Sequence, residues 1–346
     1  MRQVVRTRSC VDGPAGLLSP GTVVVAMLLA TLITACTETY DAGSTTPRGL
    51  LPVDARNPVV IFNDSQYDNW QGEYAVLLAA AGGLTLDGIV VITGSNANNI
   101  DDNLADRQNL VAAARKSGMR NIPDPIKSVG VTLVRPANGD IDATVPNNSD
   151  GARFIVSESS RISLPCRPLA VVMGGRLTDV ADAYLIDPTV VDRVVVVSEL
   201  GSLTASGAAM GIPNGEMDPW ADTIVTSRFR FVQVSAYYDQ TTDVPASRLS
   251  ELPNNAFGTW IASRQPQIWN DQQAADQVGV AAVGILTFAV AVERVAASGP
   301  VAAGANTGPT LTDNPDGPLW LVRQIAPEVA ITRFWEILLN PKTYAP

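Results

Sequence analysis

Short apolar runs recur along the chain, each followed by polar residues and then by a longer segment of helical character. Four of these runs predict strands buried on both faces, as in a parallel sheet, and they lie at residues 59–62, 88–93, 169–173 and 193–197. Two more strands are expected at residues 229–235 and 319–322, and helices at residues 74–81, 101–117, 278–292 and 331–339. Strands that alternate with helices predict an α/β fold, in which helices cover both faces of a mainly parallel sheet.

Two stretches interrupt this alternation, at residues 135–165 and 236–256. Their residues show little periodicity, and the first stretch is rich in Pro, Asn, Gly, Asp and Ser. Both are therefore predicted to be loops, the first of them a long excursion over the surface.

The first 36 residues have the pattern of a targeting segment rather than of a folded domain. Three arginines precede the uncharged apolar run at residues 22–35, which is short for a membrane-spanning helix. The run leads into Leu-Ile-Thr-Ala-Cys at residues 32–36, which resembles the lipobox of bacterial lipoproteins. This resemblance implies cleavage before Cys36 and a lipid on its sulfur. It places the protein outside the cytoplasm, anchored to a bacterial membrane (the outer membrane if the cell is Gram-negative). An uncleaved anchor and an ordinary signal peptide are the alternatives.

Three segments follow from this division of the chain. Residues 1–36 are the signal peptide, residues 37–56 are a tether rich in Thr, Gly, Pro and Asp, and residues 57–346 are a single domain. Cleavage before Cys36 leaves Cys166 as the one unmodified cysteine. The mature chain is therefore expected to have no intrachain disulfide.

Composition and charge exclude several classes of function. The 346 residues are 46% hydrophobic and 17% charged, which is typical of a globular protein. A net charge of −10 argues against nucleic acid as a partner. The chain contains no histidine, which excludes a Ser-His-Asp triad and a histidine-ligated zinc site.

The turn between the first strand and the first helix carries the densest group of candidate ligands. Its polar residues are Asn63, Asp64, Asp68, Asn69, Gln71 and Glu73. Ligand sites of open α/β sheets lie beyond the carboxyl ends of the strands, and carboxylate and amide oxygens suit a hard cation such as Ca²⁺. A solvated loop that ends in a helix cap is the alternative.

This strand–turn–helix segment resembles the N-terminal motif of the inosine-uridine-preferring nucleoside hydrolase family, D-T-D-x-G-T-D-V-D-D-A. In an alignment without gaps, Asn63 and Asp64 lie on the T-D pair and Asp68 on the inner Asp. The resemblance implies that Asp64 binds Ca²⁺ and acts as the general base. The chain departs from the motif at Phe62 and at residues 70–71, where Trp and Gln replace the D-D pair, so that Gln71 offers only a neutral amide oxygen.

Later segments match the family in the same order along the chain. The G-G-R-L-T-D segment at residues 174–179 gives Thr178 the role of a backbone-carbonyl ligand to calcium, and Asp276 before the apolar segment is implied as a further calcium ligand. Asn96 (or Ser95) and Asn214 are implied as ribose contacts. The family's glutamate is replaced by Ile212, for which Glu216 is a candidate substitute.

The resemblance covers residues 57–340 and implies hydrolysis of an N-ribosidic bond by a calcium-activated water, with a nucleoside or sugar-like ligand as partner. The family's histidine, D-D pair and glutamate are absent from the matching positions. Two alternatives therefore remain open. One is a catalytically inactive lipoprotein that binds a sugar or a nucleoside, and the other is a hydrolase of a different glycoside.

Overall fold

The computed structural model of the chain describes residues 51–64, 70–93, 100–199, 214–234, 244–267, 291–298, 310–314, 316–324 and 327–344. Residues from Pro47 to Pro346 form one compact unit. The expected signal peptide and most of the expected tether lie outside the described residues. At the end of the tether, Val53 is buried, so packing against the domain begins before residue 57.

Within the described residues, nine strands form one sheet. They are β1 (Pro58–Asn63), β2 (Thr85–Ile92), β3 (Pro125–Ser128), β4 (Leu169–Gly174), β5 (Val194–Glu199), β6 (Arg230–Val234), β7 (Ala291–Ser298), β8 (Thr310–Asp313) and β9 (Leu319–Gln324). The strand order is β3-β2-β1-β4-β5-β6-β9-β7-β8. The seven strands from β3 to β9 in this order pair in parallel, and β7 is antiparallel to both of its neighbours. The four strands predicted from the strongest apolar runs are therefore adjacent, in the order β2-β1-β4-β5.

Helices cover both faces of the sheet, as the sequence predicts. They are α1 (Gln71–Ala80), α2 (Ile100–Lys116), α3 (Asp150–Ile162), α4 (Thr178–Ile186), α5 (Pro219–Arg228), α6 (Ala256–Arg264) and α7 (Pro327–Leu339). One hydrophobic cluster joins one face of the sheet to α1, α2, α6 and α7. A second cluster joins the other face to α3, α4 and α5. Strand residues alternate between the two clusters, so consecutive positions of β1, β4 and β5 are buried on one face or the other. This burial explains why these strands are apolar at consecutive positions.

The structure corrects two of the expected elements. Residues 150–162 form α3, although this part of the sequence was expected to be a loop. The Ser149 hydroxyl caps the helix by accepting a hydrogen bond from the Ala152 N–H, and the buried residues of the helix, Gly151, Ala152, Ile155 and Ser159, lie on one face. Residues 291–292 were expected to end a helix and instead begin β7, since Val/Ala-rich runs suit either element.

Two further observations bear on the expected anchor. Cys166 is disulfide-bonded, and the chain's other cysteines, Cys10 and Cys36, lie outside the described residues. A chain that is cleaved before Cys36 and acylated on its sulfur has no cysteine left for that bond, so the lipidated form and the disulfide-bonded form are different molecules. None of the helices in the described parts of the chain combines the length and the apolar character that crossing a bilayer requires.

Candidate functional site

Asp64 follows β1 directly at the carboxyl edge of the sheet and is 8% exposed. Its backbone is held from two sides. The Asp64 N–H donates to the Gly174 carbonyl at 3.2 Å, and the Asn103 amide Nδ2 donates to the Asp64 carbonyl at 2.8 Å. Gly175 packs closely against this residue, since a Cβ at position 175 would lie 2.9 Å from the Asp64 Cγ. The absence of a side chain at Gly175 therefore makes room for the Asp64 carboxylate.

Thr178 lies at the same edge of the sheet. It begins α4 four residues after β4, and β4 pairs in parallel with β1 so that Asn63 is opposite Gly174. The Thr178 hydroxyl donates to the Asp218 Oδ2 at 2.7 Å. Asp64 and Thr178 are thus placed beyond the same strand ends, as expected, while calcium binding by the Thr178 carbonyl stays a prediction.

Asp218 caps α5 and ties three elements together. Its Oδ1 accepts from the Ala221 N–H at 3.1 Å, and its Oδ2 accepts from the Leu133 N–H at 3.0 Å in addition to the Thr178 hydroxyl. Burial raises the pKa of the Asp218 carboxyl, although these hydrogen bonds act in the opposite direction. This residue is therefore a helix cap and a structural junction beside the site.

Gln71, the expected neutral calcium ligand, begins α1 and is fully buried. Its Oε1 accepts a hydrogen bond from the Asn63 Nδ2 at 3.2 Å. The Asn63 Oδ1 in turn accepts from the Arg107 Nη2 at 3.2 Å. A line of polar groups therefore runs from the buried guanidinium of Arg107 through Asn63 to the one oxygen that Gln71 could offer a metal.

Arg107 belongs to a buried charged cluster that we call the arginine cluster: Glu73, Asp106, Arg107 and Arg264. Glu73 contacts Arg264 at 2.8 Å and Arg107 at 3.6 Å. Asp106 contacts Arg264 at 3.0 Å and Arg107 at 3.8 Å. Burial raises the pKa of the Asp106 carboxyl, while both guanidinium groups lower it. With two positive and two negative side chains, the cluster balances its charge without drawing on Asp64.

On the other side of Asp64, two buried carboxylates of α4 hold the connection between β3 and α3 (residues 129–149). Asp182 accepts hydrogen bonds from the backbone N–H groups of Asn147, Asn148 and Ser149, and also from the Ser149 hydroxyl. Asp179 accepts from the Ser128 hydroxyl at 2.9 Å. Burial raises the pKa of the Asp179 carboxyl, and the neighbouring charge of Asp182 adds to that rise.

Asn214, an expected ribose contact, opens the short 3₁₀ helix Asn214–Met217 that precedes α5. Glu216 lies within the same turn. The next residue after Asn214, Gly215, packs against the fully buried carboxylate of Asp222, because a Cβ on Gly215 would lie 2.9 Å from the Asp222 Cγ. Asp222 is a buried acidic residue beside the site that sequence reasoning missed.

The expected ligands Asp68, Asn96 and Asp276, as well as Cys36, lie outside the described residues. Among the residues that the structure does describe, no group of three or more His, Cys, Asp or Glu side chains is arranged to hold a metal ion. Asp64 therefore contributes one carboxylate, and the Gln71 oxygen already accepts a hydrogen bond. The described residues fit calcium only in part, and ligation by Asp68 and Asp276 stays a prediction.

Asn103 and Arg107 are further site residues that the sequence did not reveal. The sequence predicted only a helix at residues 101–117, which the structure describes as α2. The two residues are one helical turn apart, and both are at most 3% exposed. Spacing alone could have paired them on one face of α2, but their burial depends on partners at the end of β1.

Known structures share this fold over nearly their whole length. A purine-preferring ribonucleoside hydrolase from Gardnerella vaginalis is 14% identical, with a TM-score of 0.56, and the match covers 84% of this chain and 100% of that one. A plant nucleoside hydrolase is 17% identical, with a TM-score of 0.54 and coverage of 82% and 99%. An inosine-uridine-preferring nucleoside hydrolase from Bacillus anthracis is 12% identical, with a TM-score of 0.54 and the same coverage.

No protein-family model and no curated protein matches the chain. The structural matches confirm the α/β fold and its likeness to the nucleoside hydrolases. At 12–17% identity, the likeness concerns the fold.

Proposed function

We propose that this protein hydrolyses the N-ribosidic bond of a nucleoside or of a closely related sugar derivative. The observation that carries the proposal is the position of Asp64. It is a carboxylate at the carboxyl end of a central strand, with its backbone fixed on both sides, in a fold shared with nucleoside hydrolases. This end of the strands is where open α/β sheets bind their ligands.

In the proposed reaction, the Asp64 carboxylate accepts a proton from the water that attacks the anomeric carbon. Asn96, Asn214 and Glu216 hold the sugar hydroxyls while positive charge develops on the ring. The electrons of the broken N-ribosidic bond leave with the nucleobase. Because the chain has no histidine, the best substrates should be those whose leaving group departs without a protonated imidazole.

Calcium is part of this proposal. Its ligands would be Asp64, Asp68, Gln71, the Thr178 carbonyl and Asp276. A bound calcium ion would lower the pKa of the water molecule that it coordinates. Because Gln71 brings no charge, we expect weak affinity.

The test is ribose release from inosine, uridine and p-nitrophenyl riboside by wild-type protein and by Asp64→Asn. Loss of a general base should lower kcat by about a hundredfold or more. Melting temperatures with calcium and with chelator test the metal, since a ligand that binds the folded state stabilises it. A wild-type protein that releases no ribose would refute the hydrolase, and an unchanged melting temperature would refute the calcium site.

A second candidate function is binding without hydrolysis. It is favoured by the hydrogen bond from Asn63 that occupies the Gln71 oxygen, and by the buried guanidinium of Arg107 behind it. Isothermal titration with ribose, inosine and other glycosides separates the two candidates. Binding of inosine without its hydrolysis supports this second function, while turnover of a non-ribosyl glycoside indicates a hydrolase of another substrate.

We also propose that the protein is a lipoprotein anchored through Cys36. The native protein should partition into detergent, and mass spectrometry should find acyl chains on Cys36. The same spectrum should show Cys166 as a free thiol, because the acylated sulfur cannot form a disulfide. A Cys36→Ala variant that is still processed and still membrane-bound would contradict the anchor.

A further inference from the structure

Two polar residues of α2 contact two consecutive residues at the end of β1. The Asn103 Nδ2 donates to the Asp64 carbonyl at 2.8 Å, and the Arg107 Nη2 donates to the Asn63 Oδ1 at 3.2 Å. Asn103 and Arg107 are four residues apart, so they project from the same face of the helix. Both are buried, with 3% and 2% of their surface exposed.

The Asn103 contact has a direct geometric consequence for the Asp64 side chain. The Asp64 N–H is bonded to Gly174 and the Asp64 carbonyl to Asn103, so the two peptide groups that flank its Cα are each held by a hydrogen bond. With both peptides fixed, the direction in which the side chain leaves the backbone is fixed as well. The close packing of Gly175 against the carboxylate then limits the remaining rotation.

The arginine cluster makes α2 a rigid support for this contact. Arg107 and Asp106 of α2 form ion pairs with Glu73 of α1 and Arg264 of α6, all within the protein interior. The position of α2 relative to the strand end is therefore set by three helices together. A helix held in this way can keep Asn103 in place when the rest of the site changes.

We propose that Asn103 is the positioning residue for Asp64, and that α2 thereby aligns the general base for the reaction. This inference rests on the proposed function, in which Asp64 accepts a proton. A displacement of a reacting group by about 1 Å can lower a rate by about a hundredfold. A change at Asn103 should therefore lower kcat with little effect on KM, because Asn103 contacts the backbone of Asp64.

The chain offers a matched control at the opposite end of the same strand. The Asn57 Nδ2 donates to the Pro168 carbonyl at 2.6 Å, and Asn57 is 4% exposed. Asn57 thus makes the same kind of buried amide-to-carbonyl bond, but it lies at the amino end of β1, away from Asp64. The Asn57 Oδ1 also accepts from the Asp54 N–H at 2.9 Å, so Asn57→Ala removes two hydrogen bonds from the fold, whereas Asn103→Ala removes one.

The experiment compares wild type, Asn103→Ala and Asn57→Ala. We expect Asn57→Ala to lose at least as much thermal stability as Asn103→Ala, while only Asn103→Ala lowers kcat, by roughly ten- to a hundredfold, with KM almost unchanged. If Asn103→Ala does not fold, Asn103→Asp replaces it, since it keeps the size of the side chain and loses the N–H donor. A kcat that is unchanged in the Asn103 variant, or lowered equally in Asn57→Ala, would overturn the proposal.

A second readout separates this inference from the proposed function. The mobility of the Asp64 side chain, measured by ¹³C relaxation of its Cβ, is compared in wild type and in both alanine variants. We expect it to rise in Asn103→Ala, because the bond from the Asn103 Nδ2 to the Asp64 carbonyl is lost, and to stay as in wild type in Asn57→Ala. A wild-type protein without hydrolysis refutes the proposed function alone, whereas an Asp64 side-chain mobility that is the same in all three proteins refutes the role of Asn103.

Discussion

The two sides of Asp64 stabilise their buried carboxylates by different means. On the side of α1, α2 and α6, Glu73 and Asp106 face two arginines. On the side of α4, Asp179 and Asp182 accept hydrogen bonds from hydroxyl and backbone N–H groups. An ion pair leaves a buried charge behind when one partner is removed, whereas a carboxylate that is held by neutral donors can take up a proton. The difference therefore concerns both stability and the response to pH.

The largest effect should come from breaking the arginine cluster. Arg264→Met leaves Glu73 and Asp106 short of positive charge in the interior, and we expect a loss of about 3–5 kcal/mol in the free energy of unfolding. Denaturant titration measures it. The control is Arg153→Met, because Arg153 forms an exposed pair with Asp150 and should cost no more than about 1 kcal/mol. Equal losses of unfolding free energy in Arg264→Met and Arg153→Met would contradict a larger contribution from the buried cluster.

A smaller loss of stability is expected on the side of α4, where neutral donors hold the buried carboxylates. Asp182→Ala removes the acceptor of three backbone N–H groups, and an unsatisfied buried donor costs about 1–3 kcal/mol. Hydrogen exchange should rise specifically in the β3–α3 connection. Asp140→Ala is the control, since Asp140 is exposed and accepts from a single N–H, that of Asp142. If exchange rises no more in Asp182→Ala than in this control, Asp182 does not hold the connection.

The smallest effect is a dependence on pH. Because the folded-state pKa of Asp179 is raised above its unfolded value, the stability linked to this group is fully present below the unfolded pKa, near 4, and is lost as the pH rises through the folded pKa. Asp179→Asn has no titrating carboxyl at this position and therefore lacks this pH-dependent part of the stability. Unfolding free energies measured upward from about pH 4 should therefore show the advantage of wild type over Asp179→Asn shrinking with pH. A difference that is constant over this range would contradict the assignment.

The sequence predicted the strands more completely than it predicted the helices around them. The runs that became β1, β4 and β5 are short and apolar at nearly every position, a pattern that is typical of a parallel sheet with both faces covered. α3 is amphipathic, but it was missed because it lies within a stretch rich in Pro, Asn, Gly, Asp and Ser. A small polar residue can be buried when its hydroxyl bonds to the helix backbone, as the Ser159 hydroxyl does with the Val156 carbonyl.

The site was predictable only where it follows the strand ends. Asp64 comes directly after β1 and Thr178 four residues after β4, so the topology of the sheet brings them to one edge. Arg107 was invisible in the sequence, because the charges that allow its burial come from Glu73 and from the same helix. Glu73 lies on a different helix from Arg107, and local patterns of charge do not reveal that pair.

The strand order also has a consequence for how the chain folds. β1 pairs with β2 after a single intervening helix, but its other neighbour is β4, and the residues joined there, Asn57 and Pro168, are 111 positions apart. At a synthesis rate of about 5–20 residues per second, β4 is synthesised roughly 5–20 seconds after β1, and one edge of the apolar strand β1 stays unpaired during this time. An unpaired apolar strand edge is a template for aggregation. Refolding yield should therefore fall as protein concentration rises, with the closure of the β1–β4 pair as the vulnerable step.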